Sequence, residues 1–138
     1  MASFNKFNAF AENLAEKVFD LGSDTLKVML TNTAPVAANS VKADITEISA
    51  GNGYTAGGTA ATISSSAQTS GTYKLVLADV VFTATGAIGP FRYAVLYDDT
   101  AASDQLIGWW DYGSSITITS GETFTVDFNA STGVLTLA

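Results

Sequence analysis

Phe91-Arg-Tyr-Ala-Val-Leu-Tyr-Asp-Asp-Thr-Ala-Ala-Ser-Asp-Gln-Leu-Ile-Gly-Trp-Trp-Asp-Tyr112 is the stretch on which the fold turns. Two runs rich in aromatic and β-branched residues flank a polar segment, Asp98–Gln105, which is the pattern of a β-hairpin with a long connection. Strand alternation puts Phe91, Tyr93, Val95 and Tyr97 on one face of the first run. Ala94 and Leu96 share the other face with Arg92 and Asp98. In the second run Trp109 and Trp110 are neighbours, so in a strand they point to opposite sides. One indole can enter the core of the domain. The other needs a second cover: an N-terminal helix, a loop, or another protein.

Working outward, Phe4, Phe7, Phe10, Leu14, Val18 and Leu21 recur at spacings of three and four. This periodicity predicts an amphipathic helix over residues 4–21, with Ser3 as N-cap and Gly22 just past its end. From there the period becomes two. Leu26, Val28 and Leu30 alternate with Lys27, Met29 and Thr31 in a first strand. Residues 32–58 are weakly patterned and end in Gly51-Asn-Gly-Tyr-Thr-Ala-Gly-Gly58; a segment of this length is functional or mobile more often than a plain connection. Further strands are expected at Ala60–Gln68 and at Thr72–Thr85, the latter with a bulge near Asp79. A second hairpin is expected, Ser115–Thr119 with Thr123–Asn129, and a last short strand at Leu135–Leu137. The fold class expected is mainly β: one domain over residues 1–138, an antiparallel sandwich or barrel over 25–138 with one N-terminal amphipathic helix.

Composition narrows the function. The chain is 47 % hydrophobic and only 14 % charged, against about a quarter charged in ordinary soluble domains, as expected if part of the surface is covered in an assembly. Net charge is −7 and the six basic residues are scattered, so no basic stripe is available for phosphates or anionic membranes, and neither nucleic acid nor membrane is expected as a partner. No apolar run of membrane-spanning length and no signal peptide is read from the sequence.

With no histidine and no cysteine, triads, thiol nucleophiles and His/Cys zinc sites are excluded. A carboxylate pair of the glycosidase type could draw on Asp98, Asp99, Asp104, Asp111 and Asp127, but no spacing selects a pair. Asp98, Asp99 and Asp104 share one loop, where calcium is conceivable and solvated carboxylates are the expectation. The glycine run lacks the Gly-Lys-Ser/Thr ending of a phosphate loop. No enzyme activity and no cofactor are expected.

Four segments carry a resemblance: Leu-Lys-Val-Met-Leu-Thr-Asn-Thr-Ala-Pro (26–35), the glycine run (51–58), Gly-Pro-Phe-Arg-Tyr-Ala-Val-Leu-Tyr-Asp-Asp (89–99) and Leu-Ile-Gly-Trp-Trp-Asp-Tyr-Gly (106–113). With the opening Phe-Asn-Lys-Phe, they make nearly the entire chain resemble a family of small virion proteins of tailed bacteriophages, similar to capsid decoration or cement proteins. The resemblance implies a non-enzymatic protein on the capsid exterior, made in the bacterial host cytoplasm, that binds the major capsid protein and ties capsomers together. It brings no catalytic residues. Self-association is expected, as a trimer in preference to a dimer. Trp109, Trp110, Tyr112, Tyr54, Asn52 and Gly53 are the interface candidates. The alternative is a tail module that recognises host glycan, with Tyr54, Tyr112 and one tryptophan as a stacking platform; a glycosidase-like enzyme is a third reading.

Overall fold

The computed structural model describes residues 2–138. The chain runs β1 (Asn5–Lys6), α1 (Phe10–Ala15), β2 (Leu26–Thr31), a 3-10 turn at Lys42–Asp44, β3 (Thr59–Ala61), β4 (Ile63–Thr69), β5 (Thr72–Leu77), β6 (Val80–Thr83), β7 (Ile88–Asp98), β8 (Leu106–Ile118), β9 (Thr123–Val126) and β10 (Leu135–Leu137). It is mainly β, with antiparallel sheets, consistent with a β-sandwich. The central hairpin is β7–β8, and it forms the middle of a five-stranded sheet ordered β1-β8-β7-β2-β3. A three-stranded sheet, β10-β5-β4, and a two-stranded ribbon, β6-β9, complete the architecture.

The five-stranded sheet is apolar on both faces, as the hairpin sequence implies. Leu26, Val28, Leu30, Ala94, Leu96 and Ile107 face the main core, which also takes Leu75 and Leu77 from β5, Val80 and Phe82 from β6, and Val126 from β9. On the opposite face Met29, Val95, Tyr97, Leu106 and Phe7 form a second, smaller core. One residue changes sides relative to the sequence reading. The β7–β8 register slips between Phe91 and Tyr93, so Phe91 joins the main core with Ala94 and Leu96, while Val95 and Tyr97 face the second core.

The helix expected over 4–21 is overturned. Asn5 and Lys6 instead pair with Trp109 and Gly108 as an edge strand, and α1 has only six residues. In an extended segment, residues three apart lie on opposite faces. Phe4 therefore packs on Trp110 and Phe7 on Trp109, on opposite sides of the sheet. Gly108 makes this possible, because a Cβ there would collide with the Phe4 ring. Ser3 and Gly22 are not its caps. Lys17, at φ 66°, ends α1 in the left-handed conformation, and Val18 N–H donates to the Asn13 carbonyl at 2.8 Å. This early stop sends Phe19 and Leu21, both about 5 % exposed or less, into the main core.

Two further expectations change. The Asp79 bulge is a change of sheet: β5 ends at Leu77 and β6 opens a different sheet at Val80. The expected second hairpin has its turn, closed by Glu122 N–H on the Thr119 carbonyl at 2.9 Å, but its arms part. β8 stays with β7, whereas β9 pairs with β6 from Val80↔Val126 to Thr83↔Thr123.

Residues 32–58 cover the second core. Ile45 packs against it, and Lys42 Nζ lies 5.6 Å from the centre of the Tyr97 ring. The segment is held by bridges Thr31↔Glu47 and Val41↔Gln105 and by the hydroxyl of Thr31, which donates to the Thr46 carbonyl. Phe10 lies at the foot of the main core, 3 % exposed and stacked on Phe19. We expect Phe10→Ala to destabilise the isolated protein by ~3–5 kcal/mol, the usual cost of emptying a buried phenylalanine site, read as a lower midpoint in chemical denaturation.

Candidate functional site

The parting of β8 from β9 opens a groove of about 360 Å³. Trp110 and Tyr112 of β8, Phe124 of β9 and Phe128 just beyond it line the groove. Ala94 stands opposite Trp110 in the ladder and supplies the small residue that leaves the space. The aromatics brace one another edge to face: Trp110 on Phe128 at 5.4 Å, Tyr112 on Phe124 at 5.6 Å, and Phe124 on the buried Phe91 at 4.9 Å. Tyr112 is 55 % exposed, and the two tryptophans are half-buried.

Arg92 and Asp127 bring charge to the groove. Arg92 makes a fork with Asp111, Nε to Oδ1 at 2.8 Å and Nη2 to Oδ2 at 3.1 Å. The guanidinium, together with the Gly113 N–H, holds the Asp111 carboxyl below the ordinary carboxylate range. Asp127 makes no hydrogen bond or ion pair among the described residues.

The other interface candidates have structural roles. Tyr54 is buried at 3 % exposure. Its hydroxyl donates to Glu47 Oε2 at 2.6 Å and accepts from Leu30 N–H at 3.0 Å. Burial, reinforced by Glu47, pushes its phenol above the ordinary range. Tyr54 is therefore not available as a stacking platform. Asn52, at φ 57°, donates its side-chain amide to the Ala87 carbonyl at 2.9 Å, and Gly53 passes so close to Thr83 that a Cβ would strike its carbonyl oxygen. Together they pin the glycine run along the turn from the end of β6 to the start of β7. Trp109 packs on Phe7 over the second core, away from the groove. Of the six candidates, the structure brings together Trp110 and Tyr112 and adds Phe124, Phe128, Arg92 and Asp127.

The loop carboxylates do not converge on a common ligand position; among the described residues no group of three acidic side chains could hold a metal ion. Asp99 pairs with Lys27 at 3.3 Å. Asp98 is fully buried, and its Oδ1 accepts from Thr100 and Ala101 N–H at 2.9 and 3.2 Å. Its Oδ2 meets no donor. Burial, together with the neighbouring Asp24 carboxyl, pushes Asp98 up from 3.8 to about 7. Among the described residues no helix is long and apolar enough to cross a membrane. The chain matches no protein-family model, no curated protein and no solved structure.

The sign of the Asp98 effect is fixed by linkage. With the folded carboxyl titrating above the unfolded one, the folded state binds the extra proton, and stability falls as pH rises from about 4 to about 7. Asn at this position keeps the two accepted bonds and can donate to Asp24 without ionising. We expect the melting temperature of Asp98→Asn to exceed that of the wild type at pH 8, with the gap shrinking towards pH 4. A gap independent of pH would contradict the raised Asp98 titration.

Proposed function

We propose that the chain is a non-enzymatic structural protein of a tailed-phage virion, bound to the outside of the capsid and bridging capsomers. The resemblance of the four segments supports the identity. One observation supports the mode of attachment: the outer edge of β4. β4 is seven residues long, the longest edge strand of the three sheets, and it pairs on one side only, with β5. Its sequence, Ile63-Ser-Ser-Ser-Ala-Gln-Thr69, has no charge and no proline. Edge strands of monomeric proteins are guarded by lysine, proline, bulges or brevity. Here a single bulge lies between Ile63 and Ser65, and the run from Ser65 to Thr69 carries no guard.

An edge of this kind takes a strand from a partner, with main-chain hydrogen bonds supplying affinity. We assign that strand to the major capsid protein. A β-sandwich anchored by one edge keeps its other surfaces free for self-association, for which a trimer closing around a capsomer junction is the proposed form. Many linked copies on a capsid amplify a modest single-site affinity through avidity. The protein works by surface area and needs no cofactor, nucleic acid or membrane. Its proposed location is the capsid exterior, after synthesis in the bacterial host cytoplasm.

The test places charge on the edge without touching the core. Ser65 and Ala67 are exposed and two apart, so both point to solvent on one face. We expect Ser65→Lys/Ala67→Lys to keep the wild-type melting temperature and to lose most of its occupancy on undecorated phage heads in a sedimentation assay. Wild-type occupancy by the folded variant would remove β4 as the contact. Failure of the wild type to bind heads would remove the decoration reading.

A further inference from the structure

We propose that the groove between β8 and β9 is a binding site for a neutral hexopyranose, as displayed in a surface polysaccharide. The inference is independent of where in the virion the chain sits. Three features of the groove point to this class. Its walls are aromatic, from Trp110, Tyr112, Phe124 and Phe128, and mostly apolar atoms face the opening. The C–H face of a pyranose is flat and apolar and packs on such rings, and the braced edge-to-face contacts hold the rings in place before a ligand arrives.

The second feature is the polar rim. A sugar hydroxyl both donates and accepts, so a site needs both kinds of partner, or burying the hydroxyls costs more than stacking gains. Arg92 and Asp127 supply them. The Asp111 fork uses two of the five guanidinium N–H groups, leaving three. Asp127 has all its acceptor capacity free among the described residues. The fork also fixes the guanidinium plane, so little order is lost when a hydroxyl binds.

The third feature is charge. Arg92, Asp111 and Asp127 sum to −1 in a chain of net charge −7, which disfavours sialic acids, phosphates and acidic peptides. A cationic ligand would meet Asp127 but also the Arg92 guanidinium on the same rim. An uncharged polyol conflicts with neither. The volume, about 360 Å³, falls at the lower end of small-ligand sites and suits one or two sugar rings rather than a folded partner.

The experiment titrates the ¹⁵N-labelled full chain with the methyl glycosides of glucose, galactose, mannose and N-acetylglucosamine, and separately with N-acetylneuraminic acid, choline chloride and a proline-rich decapeptide. The Trp110 indole N–H and the backbone amides of Phe124–Phe128 report on the groove, and the Trp109 indole N–H is the internal control. We expect saturable shifts at the groove with at least one neutral pyranoside, a quiet Trp109 signal, and a Kd raised about ten-fold in both Tyr112→Ala and Asp127→Asn. Tyr112 and Asp127 are exposed, so both variants should keep the fold. The proposal is overturned if no pyranoside shifts the groove, if the variants bind the sugar as the wild type does, or if only choline, the acidic sugar or the peptide binds there.

Discussion

Adjacent tryptophans in a strand must be covered on both faces of their sheet, and this structure meets that constraint with four residues, one short strand and its two flanks. β1 contributes the pairing Asn5↔Trp109 and Lys6↔Gly108, Phe4 covers Trp110 with ring centres 5.4 Å apart, and Phe7 covers Trp109 at 4.6 Å. The side-chain period of a strand makes the arrangement possible, because positions 4 and 7 fall on opposite faces. A helix would have placed both phenylalanines on one stripe and left one indole bare. The rest of the fold follows from a central sheet that is apolar on both sides. The main core forms against β5, β6 and β9, and the second core requires residues 32–58 to lie across Val95, Tyr97 and Leu106.

The same geometry decides which surfaces remain for function. Each indole is half-buried beneath a phenylalanine, so the surplus of aromatics is spent mostly on the fold. What remains is the aromatic groove, where β9 leaves β8 to join β6, and the unguarded edge of β4. Three of the carboxylates that might have carried chemistry have structural tasks. Asp98 caps its own turn, Asp99 pairs with Lys27, and Asp111 holds Arg92. Two of the five keep free carboxylates among the described residues: Asp127 at the aromatic groove, and Asp104 at a cleft beside Lys42 and Glu47.

How much of this was legible in the sequence depends on how local the signal is. The β7–β8 hairpin, β2 and β10 are readable because alternation and turn residues are local, and the opposite facing of Trp109 and Trp110 follows from the period alone. The N-terminal segment misleads because Phe4, Phe7 and Phe10 have helical spacing while the pairing with Trp109, a hundred residues on, overrides it. Lys17 in the left-handed region gives no glycine signal for the end of α1. The partner of β9 is likewise a non-local choice: its alternation predicts a strand but not that β6 outcompetes β8, so Phe124 and Arg92 could not be assigned to a groove. The length and weak patterning of residues 32–58 suggest a contact surface at Tyr54, whereas its hydroxyl closes a buried network with Glu47 and Leu30.

The most direct measurement is a three-dimensional NOESY on the isotopically labelled full chain, read at four rings. The account predicts cross-peaks from the Phe4 ring to the Trp110 indole and from the Phe7 ring to the Trp109 indole, together with cross-strand contacts between Asn5 and Trp109 and no helical i to i+3 series across Phe4–Phe7. An unbroken helical series from Phe4 towards Leu21, with one indole free of contacts to either phenylalanine, would contradict it.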